Sequence, residues 1–173
     1  KVLEEQAVNQ VRVDLGENPA NLVWLWGPAP VDSVRSLSDR TGLSAGVISQ
    51  SFPVRGLARL LRLDWEEQPR GLEERSLKHV QQRVAELVRR HDLVYVHLQI
   101  ESSTPVERFC VMERIDQLIL RPLTDTLPEL GPWRLVTIAD DRSATGRHGR
   151  AEGWVPFVAI GTGLPRRPAA RLA

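Results

Sequence analysis

Two carboxylates and a histidine stand between two apolar runs late in the chain. In 134-RLVTIADDRSATGRHGRAEGWVPF-157, the first run stops at Asp140 and Asp141, and His148 follows in a loop rich in Gly, Ser and Arg. Carboxylate oxygens and imidazole nitrogens are ligands of divalent metals. The spacing predicts either a metal site formed by Asp140, Asp141 and His148, or a strand-end turn whose acids are solvated or paired with arginines.

Arginines and serines offer two further kinds of chemistry. Arg55 lies near the start of a predicted helix, and Arg147 and Arg150 lie in the loop that holds His148. Guanidinium groups bind oxyanions through paired N–H donors, so these arginines predict an anion site, with solvated side chains as the alternative. Ser49 and Ser51, at a predicted strand end before a helix that begins with proline, could include a nucleophile, but the sequence identifies no base beside them and no Gly-x-Ser-x-Gly elbow.

Length and composition bound the class of protein. The 173 residues suffice for one domain with a real core, and 23 Lys and Arg against 22 Asp and Glu leave a net charge of +1. We therefore expect no nucleic-acid partner, and no run of 18 apolar residues predicts a membrane span. The single cysteine, Cys110, excludes an internal disulfide, fits a cytoplasmic location, and is predicted to be a small buried hydrophobe in a helix.

Apolar runs and helical periodicities alternate along the chain. Helices are predicted over 3–15, 53–63 and 72–91 and from Pro105 onward, with an interruption at Pro122; strands are predicted over 22–26, 45–49, 93–100, 133–139 and 154–161. Continuous apolar strands indicate burial on both faces. The sequence predicts an α/β fold with a mainly parallel sheet flanked by helices. Segments expected near one rim of this sheet are 26–27, 49–51, 97–103 and 140–150.

A series of blocks carries a family resemblance. These are 18-NPANLVWLWG-27, 39-DRTGLSAGVIS-49, 54-VRGLARLLRL-63, 95-YVHLQ-99, 113-ERID-116 and 155-VPF-157. In their order and spacing the chain resembles the archaeal-type cofactor-independent phosphoglycerate mutases of the alkaline-phosphatase-like superfamily, but only the later part of such a protein. The resemblance implies a partial alkaline-phosphatase-like core over 18–163. Residues 1–17 would then be a helix from a preceding or inserted segment, and 164–173 a loose basic tail.

The family's metal ligands are mostly missing from this sequence. The resemblance implies two divalent metals (Mn, Co, Zn or Mg), a phosphorylated Ser or Thr, and cationic side chains that hold the sugar phosphate. Where members carry Asp-Glu-Ala-Gly-His, this chain has 97-HLQIESSTPVERF-109. The family's Pro-Asp-His reads Ala139-Asp140-Asp141, and its last histidine aligns with Arg150, two residues after His148.

These losses predict a non-catalytic relative with no resident cofactor, acting as a scaffold or interaction module. We expect a protein partner or a homo-oligomer, because a partial sheet exposes edges and apolar surface. Two alternatives stay open. One is a metal-dependent phosphoglycerate mutase or phosphatase-like enzyme, completed by another segment or chain. The other is a sensor that binds a phosphorylated small molecule through its arginines.

Overall fold

The computed structural model describes residues 2–25, 27, 30, 34–101, 104–139 and 155–165. The chain divides into two compact units, Lys1–Val34 and Arg35–Ala173. In the first unit, helix α1 (Ala7–Asp14) is joined to the turn after it by the buried Asn9. The Asn9 amide donates to the Leu3 and Ala20 carbonyl oxygens and accepts from the Ala20 N–H.

The second unit alternates helices and strands. Its helices are α2 (Leu37–Thr41), α3 (Phe52–Leu60), α4 (Glu74–Leu87), α5 (Pro105–Ile115) and α6 (Arg121–Thr126). Its strands are β1 (Ala45–Ser49), β2 (Asp64–Glu67), β3 (Leu93–His97), β4 (Arg134–Ile138) and β5 (Phe157–Gly161). A π-helical segment, Asp116–Leu120, joins α5 to α6, and a 3₁₀ turn, Leu127–Leu130, follows α6.

The sheet that organises this unit is parallel and three-stranded, in the order β2-β1-β3. Val47 of β1 pairs with Trp65 on one side and Tyr95 on the other. Helix α3 connects β1 to β2 and α4 connects β2 to β3, as parallel strands require a crossover. The predicted α/β class with a parallel sheet flanked by helices is confirmed.

The two crossover helices cover opposite faces of this sheet. Successive strand residues point to opposite faces, and Trp65 meets Arg55 of α3 while the next residue, Glu66, meets Arg83 of α4. On the α4 face, Gly46 lies so close to the helix that an added Cβ would stand 3.0 Å from Leu87. Below, "α3 face" and "α4 face" denote these two surfaces.

The core lies on the α4 face. Its buried residues come from β1, α4, the π segment and the helical turns after it: Ile48, Leu77, Val80, Val84, Leu87, Ile119, Leu123 and Leu127. The predicted interruption at Pro122 is confirmed. Proline has no N–H for a regular helical bond, and the chain widens into the π segment directly before α6, in which Pro122 stands at the start.

Several predictions of strands and burial are wrong. Residues 22–25 are neither strand nor helix, and Trp24 is 77% exposed, because no strand in the described part of the chain pairs with them. Trp26 lies outside the described residues. Cys110 is on α5, as predicted, but exposed, because α5 packs against the core through Ile115.

The last two strands also differ from their prediction. β4 and β5 form a separate antiparallel pair, with Ile138 opposite Phe157, and do not extend the parallel sheet. Val136, Ile138, Phe157 and Val158 are all more than half exposed, so burial on both faces does not hold for this pair. The predicted strands 133–139 and 154–161 are present as β4 and β5, but the prediction that they belong to one buried parallel sheet is wrong.

Candidate functional site

The carboxyl ends of the three parallel strands bring polar side chains together. Ser49 ends β1, His97 ends β3, and Gln68 follows β2. The connections from β1 and β3 leave towards opposite faces, since α3 covers one face while α5 packs against α4 on the other. A crevice at such a reversal is where open α/β sheets bind ligands. The prediction that segments 49–51 and 97–103 lie near one rim is confirmed for Ser49 and His97, whose side chains are hydrogen-bonded.

Ser49 and His97 share a hydrogen bond across 48 positions of sequence. The Ser49 Oγ lies 3.1 Å from the His97 Nδ1 and accepts the Ser51 N–H at 3.0 Å. The Ser49 hydroxyl can donate its proton to Nδ1, or it can accept a second hydrogen bond from an Nδ1–H, so the tautomer of His97 decides the direction of this bond.

The structure corrects one statement made from the sequence about Ser49. A base does stand beside this serine, because the parallel register aligns Ser49 with His97. Ser49 is nevertheless completely buried, at 0% exposure, so its hydroxyl has no access to a substrate. The pair fixes the end of β3 to the end of β1.

Tyr95 and Gln68 lie next to the Ser49–His97 pair. The Tyr95 ring lies parallel to the His97 ring, with centroids 6.3 Å apart and planes 15° from each other. Gln68, by contrast, is 1% exposed, and its amide nitrogen and oxygen find no hydrogen-bond partner in the described part of the chain. An unpaired buried amide is costly, and nothing in the sequence marked Gln68.

A second clamp joins the opposite ends of the same two strands. The Asp92 carboxylate, just before β3, accepts the Ser44 N–H at 2.9 Å and the Ser44 O–H at 2.7 Å. These two hydrogen bonds, with the backbone bond first, lower the pKa of Asp92 below its ordinary value, and partial burial opposes them. Strand β3 is thus fastened to β1 at both ends.

Most of the predicted site residues cannot be placed. Asp140, Asp141, His148, Arg147 and Arg150 lie outside the described residues, so the metal site and most of the anion site stay predictions. In the parts of the chain that are described, no three His, Cys, Asp or Glu side chains are grouped to hold a metal ion.

The segment after β3 has donors already engaged in the fold. His97 Nδ1 shares a hydrogen bond with the Ser49 Oγ, and the Thr104 hydroxyl accepts the Glu107 N–H at 3.2 Å as the N-cap of α5. Divalent metals prefer carboxylate and imidazole ligands. Among the described residues, neither Glu101 nor Glu107 belongs to a group of three such side chains, so this part of the chain does not form the metal centre that the resemblance implies.

Arg55, the remaining predicted anion ligand, lies on α3 with its Cζ 4.7 Å from the centre of the Trp65 ring. No carboxylate in the described residues forms an ion pair with Arg55 or with Arg59, one helical turn later. On α4 the opposite holds: Arg83 makes a two-pronged contact with Glu66, which raises the pKa of Arg83. As far as the described residues go, the charges of Arg55 and Arg59 are therefore not neutralised by an ion pair.

Comparisons with known proteins confirm the family resemblance. The chain is 27% identical to the 2,3-bisphosphoglycerate-independent phosphoglycerate mutase of Methanothrix thermoacetophila over 171 residues, which are 94% of this chain and 44% of the relative. It is 24% identical to the probable mutase of the same type from Geobacter sulfurreducens over 164 residues, or 91% and 41% of the two chains. This chain therefore spans less than half the length of these curated relatives.

One solved structure shows a partial likeness to this chain. The cofactor-independent phosphoglycerate mutase structure from Thermoplasma acidophilum matches 72% of this chain and 33% of its own, with 26% identity and a TM-score of 0.49. No protein-family model matches the sequence. Among the described residues, no helix is both long and apolar enough to cross a membrane.

Proposed function

We propose that this chain is a non-catalytic relative of the cofactor-independent phosphoglycerate mutases and acts as an interaction module. The observation that carries the proposal is the segment 97-HLQIESSTPVERF-109. It stands where the family's Asp-Glu-Ala-Gly-His would supply two metal ligands. Its Thr104 serves the fold as a helix cap, and His97, where family members also carry a histidine outside the metal set, is hydrogen-bonded to Ser49.

Exposed apolar surface supports an interaction role. Large apolar side chains lie exposed on α5 (Val106, Phe109 and Met112) and on the β4–β5 pair. Contiguous exposed patches of this kind are typical of surfaces that meet another polypeptide. An isolated two-stranded sheet is marginally stable in water, so β4–β5 has most to gain from a partner.

The test of this proposal measures metal and turnover on the same sample. The chain is dialysed against Mn²⁺, Co²⁺, Zn²⁺ and Mg²⁺ in turn, and bound metal is counted by plasma mass spectrometry. Interconversion of 2- and 3-phosphoglycerate is then assayed. We expect no retained metal and no turnover. About two metal ions per chain, or measurable turnover, would overturn the proposal in favour of a metal-dependent mutase or phosphatase-like enzyme.

A phosphate-ligand sensor is the second candidate, favoured by Arg55 and Arg59 of α3, which form no ion pair with any residue that the structure describes. Calorimetry with 3-phosphoglycerate would show micromolar binding without turnover. Arg55→Met should weaken that binding at least tenfold, since it removes the charge and keeps an apolar side chain over Trp65. Arg89→Met is the matched control, because Arg89 is an exposed arginine just after α4 whose guanidinium, within the described part of the chain, donates to the Ala85 carbonyl. Equal effects of both variants would exclude the sensor.

A further inference from the structure

We draw no further inference here: the strongest candidate, the crevice at the carboxyl ends of the parallel strands where the buried amide of Gln68 lies beside the Ser49–His97 pair, belongs to the site already described, and nothing among the described residues shows what group that amide binds.

Discussion

The two edges of the parallel sheet are secured by different means. Edge strand β2 is held from the side by long charged groups: Glu66 receives both prongs of Arg83, and Asp64 lies 3.2 Å from the Nε2 of His91. Among the described residues, the side-chain hydrogen bonds of edge strand β3 lie at its two ends, in Ser44–Asp92 and Ser49–His97. The difference teaches that one edge strand is stabilised by ion pairs along its length, and the other by hydrogen bonds at its ends.

Leu87→Ala should have the largest effect on stability, because Leu87 packs against the central strand β1, with which both edge strands pair. Leu87 is fully buried on α4 and faces Gly46 of the central strand. Truncating such a side chain leaves a cavity and lowers the free energy of unfolding by about 2–5 kcal/mol. Urea denaturation measures the loss, and hydrogen exchange should quicken in β2 and β3 alike. Faster exchange in only one of them would mean that the edges do not share this core.

Ser49→Ala should destabilise edge strand β3 and leave edge strand β2 unchanged. It removes the hydroxyl that joins His97 to the Ser51 N–H, and leaves both groups without that partner. The expected loss is about 1–3 kcal/mol, since a buried donor and acceptor are unpaired. Exchange should quicken at the end of β3 and stay unchanged in β2.

Nitrogen NMR gives the accompanying test of the tautomer. In the parent chain the His97 signals should report one predominant tautomer, and in Ser49→Ala a mixture of both tautomers. Identical histidine spectra in the two proteins would show that Ser49 does not fix the ring.

Acid should produce the smallest effect, confined to the other clamp. The lowered pKa of Asp92 means that its ionised form stabilises the fold at pH above roughly 3.9, the ordinary value, and that this contribution is lost as the pH falls through the lower folded pKa. Thermal melts between pH 5 and pH 2 should therefore fall more steeply for the parent chain than for Ser44→Ala. Parallel curves would argue that the clamp does not contribute.

The sequence predicted well the parts of the fold that depend on local pattern. Strand 45–49 was predicted from its continuous apolar run, and the structure buries all five residues. Helix α4 was predicted because Leu77, Val80, Val84 and Leu87 recur at helical spacing. Strand β2 was missed because Asp-Trp-Glu-Glu has no apolar run, and only its pairing with β1 makes it a strand. Residues 22–25 show the converse, an apolar run without a pairing partner among the described residues.

The candidate site was less predictable, since it depends on register. Ser49 and His97 are 48 positions apart, and only the alignment of β1 with β3 makes them neighbours. The unsatisfied amide of Gln68 depends in the same way on where β2 ends. Arg55 was selected for its charge, and its ring contact with Trp65 required the position of β2.

The π-helical segment Asp116–Leu120 has a consequence for how the chain tolerates changes of length. A π turn closes over one more residue than an α turn, so it absorbs an insertion while the helices on either side keep their directions. Leu123 and Leu127 consequently still reach the core. Deleting one residue here should merely tighten the turn. The same deletion within α4 would rotate Val84 or Leu87 by about 100° and expose it.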